Sequence, residues 1–213
     1  MPTPLRIAFP GAVYHLMCRG NGRTEVFRDD DDRRHYLNLL CAAIPAFRLK
    51  IYAYALMSSH IHLFLKTFLP NISAVMYRLS LDYSVYFNRR HANTGHLFES
   101  RFKSKLVQRD RYFLALIRYI HMNPVKAGIV SSPEKYEWSS HRAYLLSPDM
   151  VISDPREALL FFSDNIEQAR AAYLDFIGKP APKKEWAILN KERNGILGDS
   201  TFRQSLKKAA GAF

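Results

Sequence analysis

The stretch LKIYAYALMSSHIHLFLKT (49–67) decides the fold. LKIYAYALM (49–57) and HIHLFLKT (60–67) are both rich in strand-forming residues, and only Ser58-Ser59 separates them. That reads as two adjacent strands joined by a tight hairpin. In a strand, residues i and i+2 face the same way. His60 and His62 therefore present both imidazoles on one face, while Ile61 and Leu63 turn to the other. An otherwise apolar strand carries a polar, metal-capable pair in its middle.

Upstream of the hairpin, VYHLMCRG (13–20) reads as a strand ending in the turn Gly20-Asn21-Gly22. Asp29 to Asp32 then precede a helical pattern in which Leu37, Leu40, Cys41 and Ile44 share a face, with Pro45 as its stop. The four aspartates read as caps and dipole compensation, or as an acidic metal cluster. Downstream, Leu69-Pro70-Asn71 breaks the chain, and Asn71 is a candidate cap for a helix carrying Val75, Leu79, Tyr83 and Phe87, each four apart. That helix ends in Asn88-Arg89-Arg90-His91. FESRFKSKLVQ (98–108) alternates as a strand, with Arg101, Lys103 and Lys105 on one face and Phe102 and Leu106 on the other. YFLALIRYIHMN (112–123) reads as a helix ended or kinked by Pro124.

The order is β-α-β-β-α-β-α. Its first six elements are those of a ferredoxin-like split β-α-β sheet, an α+β fold with helices on one face. Residues 131–213 read as a mostly helical C-terminal extension, packed on or linked to a domain formed by 1–130. Helix starts are expected at Asp154-Pro155 and Asp164, and a stop and linker at Gly178, Pro180 and Pro182.

The 213 residues carry Lys plus Arg 31 against Asp plus Glu 19, a formal net charge of +12. Such a surplus points to a polyanionic partner, most often nucleic acid. No window approaches the ~18 uncharged apolar residues that span a bilayer, so no membrane partner is expected. MPTPLRIAFPG is a poor signal peptide. Cys18 and Cys41 lie in different elements, which suits a reducing cytoplasm and excludes a thiolate zinc site. No Gly-rich phosphate loop is present, so no nucleotide cofactor is expected.

Two patterns carry chemistry. Neutral imidazole is the commonest protein metal ligand, yet a His-x-His pair is also met with one ring solvated and the other hydrogen-bonded. Tyr119 and Asn123 are four apart, one helical turn. A tyrosine hydroxyl can act as a covalent nucleophile, and an asparagine amide oxygen can be a third metal ligand. The competing reading makes Tyr119 a core residue and Asn123 a helix end before Pro124. Arg101, Lys103 and Lys105, with Arg89 and Arg90 nearby, suit a groove for a phosphate backbone, or else a solvated strand edge. Tyr14, Phe98 and Phe102 are candidates for stacking on unpaired bases.

The pieces PLRIAFPGAVYHLMCRGN (4–21), VFRDDDDR (26–33), ALMSSHIHLFLKT (55–67), GHLFESRFKSKLV (95–107), RYIHMNPVKAGIV (118–130) and WSSHRAYL (138–145) follow one another along the chain. With them the sequence resembles the single-tyrosine HUH transposases, and more narrowly the bacterial REP-associated tyrosine transposases. His60-Ile61-His62 matches the family's His-hydrophobic-His motif. The resemblance implies that His60 and His62 bind a divalent ion, Mg²⁺ or Mn²⁺, that Asn123 completes the protein ligand set and that Tyr119 is the nucleophile. Gly11-Ala12-Val13-Tyr14 corresponds to the family's Gly-Thr-x-Tyr element, which holds the DNA hairpin, with Ala12 replacing the threonine. Met57-Ser58-Ser59 replaces the more usual Met-Pro-Asn.

The activity so implied is that of a cytoplasmic, nucleoid-associated single-strand DNA endonuclease and strand transferase. It would nick hairpin-forming repeats through a 5′-phosphotyrosine, as a monomer or homodimer. Phenols are mostly protonated at neutral pH, so polarisation of the phosphate must compensate for a weak nucleophile. The alternative from another class is a non-catalytic regulator that binds DNA or RNA hairpins, since a split β-α-β sheet with basic and aromatic residues also serves RNA recognition. Such a regulator has no use for Tyr119, Asn123 or paired histidines.

Overall fold

In the computed structural model, which describes residues 6–146, 152–181, 189 and 195–210, the predicted hairpin is the middle of a sheet. The strands are β1 (Val13–Arg19), β2 (Leu49–Met57), β3 (His60–Thr67), β4 (Lys103–Val107) and β5 (Ile196–Leu197). Their spatial order is β2-β3-β1-β4-β5. β3 lies between β1 and β2 and is antiparallel to both, and β4 pairs antiparallel with the far side of β1. This is the split β-α-β arrangement expected from the sequence. β5 adds a parallel edge beside β4; at two residues it is too short to leave a periodic signal.

Helices α1 (Asp30–Phe47) and α2 (Ile72–Arg90) cover one face of the sheet. Tyr14, Leu16 and Cys18 of β1 and Ile61, Leu63 and Leu65 of β3 meet the helix stripes there. The α2 stripe Val75, Leu79, Tyr83 and Phe87 is wholly buried, and each such side chain contributes roughly 1.5–3 kcal/mol of burial. α1 runs two residues past Pro45 and ends at Arg48 in the left-handed conformation, so the proline sits in the last turn instead of stopping the helix. Asn71 precedes α2 without capping it; its Nδ2 donates to Phe47 O at 3.0 Å.

The opposite face is built from the other parity of the same strands. It carries α3 (Arg109–His121), the single turn α4 (Asn123–Lys126), α5 (His141–Leu145), α6 (Arg156–Leu159) and α7 (Ile166–Gly178). Helix α8 (Ser200–Ala210) follows β5. A bulge at Tyr52 turns both Tyr52 and Ala53 of β2 toward this second core. Residues 136–144 run along β2: Leu56 N donates to Trp138 O, Ser140 N to Tyr54 O, Tyr136 Oη to Leu56 O and Tyr144 Oη to Tyr52 O. The start expected at Asp164 falls on Asn165, whose side chain accepts from the amides of Glu167 and Gln168. Asp154 does serve the next helix, accepting from Arg156 N. The expected linker at Pro182 lies outside the described residues. Among the described residues no helix is long and apolar enough to cross a membrane.

Candidate active site

The parity that buries Ile61 and Leu63 under α1 and α2 leaves His60 and His62 on the second face. α3 packs over that face through Phe113, Leu116, Ile117 and Ile120. Its last turn brings the half-buried Tyr119 to the histidines. The Tyr119 ring centroid is 5.6 Å from that of His62, edge-on at 89°. After Met122 the helix breaks and Asn123 opens α4, with Pro124 in its first turn where a missing amide is tolerated. Tyr119 and Asn123 thus belong to two helical pieces, yet Asn123 hydrogen-bonds His60. That bond favours the protonated imidazole, as an accepting amide oxygen does.

Each histidine has one ring nitrogen already held. His60 Nδ1 is 3.1 Å from Ser59 Oγ, and His62 Nδ1 is 3.1 Å from His15 Nε2. The His60 and His62 rings are 5.0 Å apart at 85°. Burial, then Arg19, lowers the pKa of His60, and burial with His15, His60, Arg19 and Lys105 around it holds His62 well below the usual value. Both rings are therefore neutral at pH 7, the state a metal ligand needs. Among the described residues no group of three or more His, Cys, Asp and Glu is arranged to hold a metal ion, so a metal here would draw on the two imidazoles and the Asn123 amide. The donor set fits such an ion, because ligating histidines characteristically have their second nitrogen tied down.

Three cations flank this face. Arg19 is opposite His60 in the β1–β3 register, Lys105 is opposite His15 in the β1–β4 register, and Lys126 Nζ lies 5.6 Å from the Tyr119 ring centroid. Lys105 was legible in the alternation of residues 98–108. Arg19 and Lys126 were not, since nothing local says that a strand end and the turn after Pro124 meet. His15 was missed for the same reason, although its place two residues before Met17 and four before Arg19 puts all three on one strand face.

Of the remaining candidates, Lys103 lies on the same sheet face, opposite Met17, and the others lie elsewhere. β4 starts only at Lys103, so Arg101 precedes the strand; both are exposed. Phe98 makes an isolated bridge to Gly20 instead of extending β4. Phe102 is buried, with the Arg6 guanidinium 3.8 Å over its ring. Tyr14 is 1% exposed, inside the first core, and its hydroxyl donates to Ile7 O at 2.9 Å; neither ring is free to stack on a base. Gly11, at φ +85°, donates to Thr67 O.

Arg89 is exposed at the end of α2. Arg90 is committed: its Nη1 reaches Asp29 at 2.6 Å and Asp32 at 2.5 Å, and its Nη2 reaches Asp31 at 3.4 Å. Asp29 caps α1 by accepting from Asp32 N. The acidic run is thus a cap and an ion-pair cluster on the helix-covered side, with Arg90 engaged in it.

The profile described as "Transposase IS200 like" matches residues 9–123, more than half the chain. The chain belongs to the IS200-like transposase family. The matched span runs from the residues before β1 to Asn123, so it takes in β1 to β4, both helices of the first face, and His60, His62, Tyr119 and Asn123. A REP-associated tyrosine transposase solved bound to a REP hairpin shares the fold, with a TM-score of 0.56 over 73% of this transposase and 93% of that chain at 17% identity. A putative transposase from Deinococcus radiodurans R1 aligns over 58% of this chain and 97% of that one, at 18% identity and a TM-score of 0.40. No curated protein matches the chain.

Proposed function

We propose that this transposase is a metal-dependent single-strand DNA endonuclease and strand transferase whose nucleophile is Tyr119. One observation carries the reading: a tyrosine and an asparagine from the α3–α4 corner converge on the two neutral imidazoles of β3. His60, His62 and Asn123 would hold Mg²⁺ or Mn²⁺. When bound, such an ion polarises the scissile phosphate and neutralises the charge that develops on it.

Tyr119 Oη attacks phosphorus and the bond from phosphorus to the 3′ oxygen breaks. The phenolic proton passes to water, and the departing oxygen takes a proton from solvent to become a 3′-hydroxyl. The DNA is left as a 5′-phosphotyrosine ester. A second 3′-hydroxyl reverses the step and joins strands without ATP. Arg19, Lys105 and Lys126 supply positive charge for the phosphates on either side of the break. A hairpin as the DNA partner is supported by the likeness to the transposase solved with a REP hairpin and by the net charge of +12.

The test is a denaturing gel of the protein mixed with a single-stranded hairpin oligonucleotide from the repeats flanking its gene, with Mn²⁺ or Mg²⁺. Wild type is expected to give a metal-dependent covalent protein–DNA band, and Tyr119→Phe none. Tight hairpin binding by wild type without an adduct in either metal would remove catalysis and favour the hairpin-binding regulator.

A further inference from the structure

Beneath the paired histidines lies a third. His15 is paired with Phe64 of β3 and with Lys105 of β4, and strand parity puts its ring on the face of His62. It is 7% exposed. Its Nε2 is 3.1 Å from Nδ1 of His62, with the two rings 16° from parallel and 5.3 Å apart. The same ring meets Tyr119 edge-on, at 5.8 Å and 76°. One buried side chain therefore touches both the proposed ligand and the proposed nucleophile.

Between two neutral imidazoles one nitrogen donates and the other accepts. Either His62 Nδ1–H donates to His15 Nε2, or the reverse. His15 occupies the Nδ1 side of His62, so a metal can be bound only by the lone pair on His62 Nε2, which requires the proton on Nδ1. Resting on the metal reading of His60 and His62, we infer that His15 is a positioning residue for the reaction. Its Nε2 accepts from His62 Nδ1–H and so sets the tautomer and ring orientation of that ligand. Its edge contact with Tyr119 registers the nucleophile against the same ring. A neutral imidazole does this without placing a charge inside the sheet, which an aspartate in the same place would do at a large desolvation cost.

The test uses the full chain with three side chains at position 15. In metal-free wild type, ¹⁵N NMR of the imidazoles should show His62 protonated at Nδ1. His15→Leu should release His62 to the Nε2–H form and weaken Mn²⁺ binding by about 10- to 100-fold, read by titration. His15→Gln places an amide oxygen at the depth of Nε2, and should keep both the tautomer and the affinity close to wild type. Thermal melts establish that each variant is folded.

The inference is overturned if His62 is Nε2–H in wild type, if folded His15→Leu binds Mn²⁺ as wild type does, or if Gln and Leu lose affinity equally. A wild type that binds no Mn²⁺ removes the metal reading and the role of His15 with it. That failure is told apart from the failure of His15 alone, in which wild type and His15→Leu bind equally well.

Discussion

Tyr14 and His15 are adjacent in the sequence and end in different cores. The phenol enters the layer under α1 and α2, where burial pushes its pKa up to about 12, and the imidazole enters the opposite face, where burial pushes it down to about 3. Asp32 shows the same logic for charge. Its side chain is fully buried, yet it accepts from Arg28 N, Arg90 and His91. Burial opposes its ionisation, and those donors outweigh burial and hold its carboxyl below the usual range. Asp32→Ala leaves them without their acceptor, so it should cost roughly 2–3 kcal/mol in urea unfolding. Mn²⁺ affinity of the folded variant should be unchanged, because the cluster belongs to α1 and α2 on the far side of the sheet from His60 and His62.

At the scale of elements, β4 distributes the basic residues. Lys103 and Lys105 share a face with His15 and Met17, while Ser104 and Leu106 turn toward the first core. Lys105→Ala should lower the slope of log affinity against log salt for single-stranded DNA by about 0.7. Arg90→Ala should leave that slope unchanged and lower thermal stability instead, since Arg90 serves the aspartates. Equal slopes for wild type and Lys105→Ala would remove Lys105 from the DNA path. The α2 stripe and the β2–β3 hairpin were readable because their periods are local. The extent of β4 was not: residues 98–102 alternate like a strand, but the continuous ladder with β1 begins only at Lys103, and Phe98 and Glu99 touch its end through one isolated bridge at Gly20 and one hydrogen bond to Arg19 O.

At the scale of the molecule, the region after residue 130 covers the second face and blunts the edge strand β2. Without it, β2 presents unpaired backbone groups and Tyr52, Phe64 and Phe113 lose their cover. A chain truncated after residue 130 should therefore aggregate instead of melting cooperatively; a sharp, reversible transition by calorimetry would count against this. His121, two residues past Tyr119, ties α3 to the region. His121 Nδ1 and His141 Nδ1 lie 2.8 and 2.6 Å from Tyr173 Oη, and His121 Nε2 is 2.7 Å from Ser140 Oγ. Tyr173→Phe strips two buried rings of a partner and should cost about 1–3 kcal/mol.

Burial lowers the pKa of His15, His62, His121 and His141. Below about 6.5 the unfolded chain binds protons that the folded chain refuses, so stability is full above that pH and falls as pH drops. The slope is about 1.4 kcal/mol per pH unit for each imidazole still neutral in the fold. Urea midpoints measured between pH 7.5 and 5 should show the decline, and a flat profile would contradict the burial of these rings.

The sequence by itself determined the order of strands and helices, the parity that sets His60 and His62 apart from the apolar face, and the residue types of the site. Those follow from periods of two and of about three and a half residues, which any short window displays. Only the tertiary structure decided that Tyr119 and Asn123 meet that face across a helix break, that His15, Arg19 and Lys105 join them from β1 and β4, and that Arg90 is spent on aspartates. Each of these rests on strands or helices brought together across dozens of residues of chain. Such pairings are chosen by the burial of whole faces against one another, and a local pattern does not record which face finds which partner.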